Sequence, residues 1–227
     1  MPAEQPPTTP DVRPLILLTA ALVAAVFTLS LALRQPLHQR EQERRRDALG
    51  ALVAPLTFDN DPLAEQLVLH QRGGRGVTLD QAWPLRRDGR LQAVVVDVAS
   101  ARGYLGPIRL RAAIAVPADA DATREERTTR HTVIAVTVVE HRETPGLGDQ
   151  IETTEWLDTF AGRASSTETP TRWRVRRDGG DIDQMTGATV TSRAATEAVF
   201  AALEWVGTHS DDLRRPPQAG AGATGDG

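Results

Sequence analysis

The 227-residue chain contains no cysteine, and all 26 of its basic residues are arginine because lysine is absent too. The first absence excludes a thiolate nucleophile, a structural disulfide, a cysteine-held iron–sulfur cluster and a thioether-linked haem. The second excludes a lysine Schiff base and the phosphate-binding lysine of a Walker A loop. A strong excess of either charge sign is also missing. The formal net charge is −4, which argues against a dedicated nucleic-acid binder while leaving room for a local basic patch. What is present is an apolar content of 40%, enough for the core of one domain of ordinary size. It is unevenly spread.

Pro14 to Leu33 reads PLILLTAALVAAVFTLSLAL, without a charge. As a helix rising about 1.5 Å per residue it would span roughly 30 Å, the hydrocarbon thickness of a bilayer. A cleaved signal peptide is the competing reading, but its apolar core is about 7–15 residues and ends in small residues at a cleavage site. Here Arg34, Gln35 and Pro36 follow directly. We therefore expect a single transmembrane helix over 14–33, with Thr19, Thr28 and Ser30 returning their hydroxyls to carbonyls one turn earlier. Residues 1–13 and the tail over 210–227 are expected to be disordered from their Pro-, Thr- and Gly-rich composition. Arg13 precedes the apolar run, whereas Arg34, Arg40, Arg44, Arg45 and Arg46 follow it. Counted alone, that bias places the C-terminal part in the cytoplasm. Glu41, Glu43 and Asp47 interleave with these arginines, so 34–57 reads as a charged, solvated linker helix.

The remainder, 58–209, reads as one domain. Phe58-Asp59-Asn60-Asp61-Pro62 is a turn-forming cluster. Ala93 to Val98 has the length and β-branched content of a buried strand. In Ile108 to Val116 the apolar residues alternate with Arg109 and Arg111, the period of a half-buried strand. Thr132 to Glu140 is β-rich as well, and the charged stretch between these two predicts an antiparallel hairpin with a long loop. Val190 to Val206 repeats small and apolar residues on one helical face. Strands and helices mix without βαβ alternation, which predicts an α+β fold.

Two turn-rich segments border these elements. Glu140-His141-Arg142-Glu143-Thr144-Pro145-Gly146-Leu147-Gly148-Asp149 starts where a buried strand ends, and its glycines allow close approach of backbone to a ligand. An ordinary strand-to-helix connection would look the same. The second, Asp178-Gly179-Gly180-Asp181-Ile182-Asp183-Gln184-Met185-Thr186-Gly187-Ala188-Thr189-Val190-Thr191-Ser192, leads into the amphipathic helix, with Thr186, Thr189, Thr191 and Ser192 offering hydroxyls. Small and hydroxyl residues there put free N–H groups and the positive end of a helix dipole in one place, which suits a phosphate. One of them serving merely as the N-cap is the alternative.

Asp183-Gln184-Met185-Thr186-Gly187-Ala188-Thr189 resembles the flavinylation motif Asp-x-x-Ser/Thr-Gly-Ala-Thr. The longer strings DGGDIDQMTGATVTS and EHRETPGLGDQIE, with FDND and Gly103-Tyr104-Leu105-Gly106-Pro107-Ile108, resemble the G subunit of the Rnf electron-transport complex in order and spacing. The C subunit of the sodium-pumping NADH:quinone reductase is a related alternative, and a membrane-anchored FMN-binding scaffold or sensor is another.

The resemblance implies an FMN-binding domain over 58–209 and FMN joined through its phosphate to Thr189 by a separate flavin transferase. It implies that Asp183 assists that transferase and that Thr186, Gly187 and Ala188 shape the phosphate site. Glu143, Thr144, Pro145, Gly146, Leu147 and Gly148 would face the flavin ring, with backbone amides tuning it. Trp156, Trp173 and Trp205 are candidates for stacking on the ring but fit a core role better, and His141 reads as structural. No metal site is expected. The implied role is electron relay within a membrane complex that passes electrons between ferredoxin and NAD and moves ions. The implied place is the bacterial inner membrane, with the FMN domain on the periplasmic side, against the arginine count.

Overall fold

Alternating apolar residues fold back on themselves in a simple meander: β1 (Leu67–Arg72), β2 (Val77–Arg87), β3 (Arg90–Ser100), β4 (Ile108–Ala115) and β5 (Thr132–Glu140). They form one five-stranded antiparallel sheet in chain order. The helices are α1 (Arg13–Val53), α2 (Thr154–Leu157) and α3 (Thr189–Leu213). The computed structural model describes residues 13–118, 131–164 and 171–215, the side chains of 13–17 and 29–39 excepted. The charged loop expected between β4 and β5 lies mostly outside the described residues, as do 1–12 and 216–227. The antiparallel sheet and the α+β class agree with the expectation.

The chain divides into two units, 1–45 and 46–227. In the first, α1 carries the apolar run, whose ends at 14–17 and 29–33 fall outside the described side chains. Among the described residues no helix is long and apolar enough to cross a membrane. Thr28 Oγ1 returns a hydrogen bond to Ala24 O at 3.0 Å, and Glu41 pairs with Arg45 one turn on.

In the second unit both faces of the sheet are covered. The period of two in β3 sends Val94, Val96 and Val98 toward α3 and Ala93 and Val95 toward the last turns of α1. Ala194, Ala195, Ala198 and Ala202 make the buried face of α3 thin, while Val199, Leu203 and Val206 supply its bulk. On the other face Leu49 and Val53 pack with Trp83 and Leu85.

Two strands escape the sequence pattern. Bulges in β2 between Leu79 and Gln81 and between Leu85 and Arg86 break its alternation, and a shift in β1 between Val68 and Gln71 does the same there. The signal that could have revealed β2 is Asp88-Gly89, both at positive φ, a pair that favours a tight two-residue hairpin turn into β3. Helix α3 also runs past the expected ends at Val206 and residue 209, reaching Leu213 with Ser210 and Leu213 buried. The reason is Arg86, which is 4% exposed. Its guanidinium bonds Leu213 O at 2.6 Å and Glu65 Oε2 at 2.7 Å, so a buried cation satisfies the C-terminal carbonyls of the helix. Asn60 of the expected turn cluster braces this arrangement by accepting from Arg86 N and donating to Pro84 O.

Candidate functional site

Helix α3 starts at Thr189, and its N-cap is Ala188, whose methyl group offers no capping hydrogen bond. The hydroxyl capping weighed for this segment is therefore not used at the helix start. Ser192 Oγ instead takes the N–H of Met185 and bonds back to Ala188 O, which folds the 185–188 turn against the helix. Among the described residues the N–H groups of Thr189, Val190 and Thr191 have no hydrogen-bond partner. Such a helix start concentrates unpaired donors and the positive dipole end on one spot.

That spot opens into a cleft of about 390 Å³. Glu143, Thr144, Leu147 and Gly148 come to it from the loop after β5, and Gly187, Ala188 and Thr189 from the turn before α3. The topology thus brings together most of the residues expected at the site. Pro145 and Gly146 are exposed but do not line the cleft, nor do Asp183 and Thr186. Gly187 has φ +78°, and a Cβ there would meet Leu147 Cδ2 at 3.0 Å, so a side chain would strain the backbone and crowd the cleft. Asp183 turns its carboxylate outward to Arg176 at 3.0 Å while its carbonyl accepts from Trp156 Nε1.

The loop after β5 behaves differently from the expectation. Leu147, Gly148 and Asp149 all aim their N–H groups at Thr144 O, and Glu143 N donates to His141 Nδ1. Most amides expected to meet a ligand are consumed in closing the loop. His141 donates its other nitrogen to Glu152 Oε1 at 2.9 Å, so it is a structural brace. Glu143 is 5% exposed and holds two elements at once: Oε2 accepts from Thr191 Oγ1 at 2.5 Å and Oε1 from Leu105 N at 3.3 Å. The three tryptophans considered for stacking are core residues. Trp156 packs edge-on to Phe160, Trp173 lies against Phe160 and Phe200, and Trp205 stacks on His209; none lines the cleft.

Three cleft residues, Tyr104, Arg177 and Val190, have no role at the site in the sequence reading, whereas Thr191 is among the hydroxyl residues of the second turn-rich segment. Tyr104 lies within the Gly103–Ile108 string, and Arg177 immediately precedes the Asp178–Ser192 segment, in the short turn Arg176–Asp178. A second cavity of about 350 Å³ lies along the sheet near Asp80, Asp97 and Arg109, and its two carboxylates are already paired, Asp80 with Arg109 and Asp97 with Arg111.

A family model described as the FMN-binding domain matches residues 127–204. The G subunit of the ion-translocating oxidoreductase complex of Vibrio cholerae is 33% identical over 203 residues, covering 88% of this chain and 88% of that protein. This chain belongs to the G-subunit family of ion-translocating oxidoreductase complexes. The corresponding G subunit from Cereibacter sphaeroides is 33% identical over 219 residues, 95% of this chain and 92% of that protein. The crystal structure of Shewanella oneidensis NqrC has a TM-score of 0.41 at 24% identity, covering 59% of this chain and 60% of that one.

For this member of the G-subunit family the cleft fits FMN on its own observations: a volume in the range of small-ligand sites, unpaired helix-start N–H groups for a phosphate, and a glycine where a Cβ would intrude.

Proposed function

We propose that this chain is the membrane-anchored electron-relay subunit of an Rnf-type complex, carrying FMN as a phosphoester on Thr189. The observation that carries the reading is the first turn of α3, where Thr189 stands half-buried in the cleft beside unpaired N–H groups and Gly187. The N–H groups of Thr189, Val190 and Thr191, with the helix dipole, stabilise a phosphate placed there. Arg177 contributes a side-chain cation to the same cleft, which matters in a chain without lysine. Leu147 and Val190 give apolar contact to the ring, and Thr144 supplies a hydroxyl. When bound, FMN supplies the electron carrier that no side chain of this thiol-free protein provides.

A threonine hydroxyl is a weak nucleophile without a base, and the cleft offers Thr189 no histidine. A flavin transferase therefore activates the hydroxyl and its flavin donor, and exposed Asp183 is placed for that enzyme to recognise. Tethering keeps the carrier at a fixed effective concentration beside its partner subunits.

The apolar run 14–33 anchors the chain in the inner membrane. Supporting this, Leu18, Leu22, Val23, Val26 and Phe27 are each at least 60% exposed along α1, a surface suited to lipid. No charge lies within 14–33, so this helix carries no ion path. The FMN domain faces the periplasm.

Co-expression of the full chain with an active flavin transferase, followed by denaturing electrophoresis, tests the attachment. The wild-type band fluoresces as flavin and the Thr189→Val band is dark; a dark wild-type band overturns the reading. A reporter active only in the periplasm, fused after residue 215, is active if the topology is right and silent if it is wrong.

A further inference from the structure

We propose that Tyr104 stacks on the isoalloxazine ring; the inference rests on the flavin reading above. Tyr104 is the only tyrosine in the chain, and among the described residues it is the only aromatic that lines the cleft. The described tryptophans are buried in the core, whereas Tyr104 is 68% exposed. Neither a ring contact nor a hydrogen bond engages its side chain among the described residues.

The placement of Tyr104 is built into the backbone. Gly103 sits where a Cβ would meet Gly106 O at 2.2 Å and Glu143 Oε1 at 2.8 Å, so the 103–106 turn closes only around glycine and pushes Tyr104 outward. One residue on, Leu105 N donates to Glu143 Oε1, while the other oxygen of that carboxylate takes Thr191 Oγ1. A single buried side chain thus ties the tyrosine turn to the first turn of α3, two residues from the attachment point. A flat flavin held at Thr189 needs an aromatic or apolar surface against its face, and Tyr104 is the aromatic the fold sets within reach.

A phenol in contact with an excited flavin donates an electron to it and takes it back, returning the flavin to its ground state without emission. The test uses the full chain, flavinylated by co-expression and purified in detergent, and compares native flavin emission per flavin with the emission of the denatured band. Wild type is dark when native and bright when denatured. In Tyr104→Leu and Tyr104→Phe the native emission rises by about threefold or more, since loss of the phenol removes the electron donor; Tyr104→Trp stays dark. Unchanged native emission in the Leu and Phe variants, with normal denatured bands, overturns the stacking. Should the Leu variant fail to take up flavin, the Phe and Trp pair decides alone: bright Phe with dark Trp supports the contact, and equal emission overturns it. A dark denatured wild-type band would instead sink the flavin attachment itself, so the two failures are distinguishable.

Discussion

The two ends of α3 meet the same physical problem and answer it in opposite ways. At the C-terminus the orphan carbonyls are satisfied by Arg86, a buried cation itself balanced by Glu65 and seated in β2. At the N-terminus the orphan N–H groups of Thr189, Val190 and Thr191 are left unpaired, the cap is an alanine, and a cleft opens in front of them. Side-chain capping at a helix start is worth about 1 kcal/mol. Forgoing it at one end while burying an arginine to complete the other separates a structural terminus from one suited to an anion.

The sharpest way to break this contrast is at the closed end. Arg86→Met keeps much of the side-chain volume but leaves the carbonyl of Leu213 and the half-buried Glu65 carboxylate without their cation. Breaking a buried pair by removing one partner costs roughly 3–5 kcal/mol, and chemical denaturation should report a loss of that size. Thr189→Val at the open end, by contrast, changes stability by about 0.5 kcal/mol or less while abolishing flavin attachment. A destabilised Thr189→Val protein, or an unaffected Arg86→Met protein, would erase the distinction between the ends.

The open end was far more legible in the sequence than the closed one. A run such as Asp183 to Thr189 before an amphipathic helix announces itself, because glycine and hydroxyl residues are rarely spent together without a reason. Arg86 reads as one more surface charge beside Arg87 and Asp88, and only the bulge at Leu85/Arg86 turns it inward. Strands β3 and β5 were visible through their β-branched content and β4 through its alternation; β1 and β2 were not, because bulges reset their period. Tyr104 became part of the site through the long-range tie of its turn to Glu143, which no local pattern encodes. Of the loop from Glu143 to Gly148, only Glu143, Thr144, Leu147 and Gly148 line the cleft, and the amides of Leu147 and Gly148 turn to Thr144 O, a competition within the loop that its composition does not reveal.

The next largest effect should come from Glu143, the link between the open end and the tyrosine turn. Glu143→Gln replaces one carboxylate oxygen by an amide NH₂, which would face either Thr191 Oγ1 or Leu105 N. The Leu105 N–H cannot accept a hydrogen bond, and rearranging the buried Thr191 hydroxyl gives up a charge-assisted one. A loss of about 1–3 kcal/mol follows, smaller than for Arg86→Met. Amide exchange at Leu105 should accelerate more than exchange in β3. Uniform acceleration throughout the sheet would mean that Glu143 supports the fold as a whole and does not act as a local tie.

The smallest effect belongs to the exposed ion pair that borders the open end, Arg193 with Asp178, which joins the 176–178 turn to the second turn of α3. The two-pronged hydrogen bond from Arg193 holds the Asp178 carboxyl below its ordinary value. A depressed carboxylate contributes stability that is present above the unfolded pKa, about 3.9, and is lost as pH falls through the lower folded value. Wild type should therefore melt slightly above Asp178→Asn at neutral pH, and the two curves should converge as pH falls below the ordinary carboxylate range. Because the pair is exposed, added salt should shrink the neutral-pH gap, whereas the gap between wild type and Arg86→Met, whose ion pair is buried, should be nearly indifferent to salt. A salt-resistant Asp178 effect would place real structural weight at the open end and undo the asymmetry of the helix.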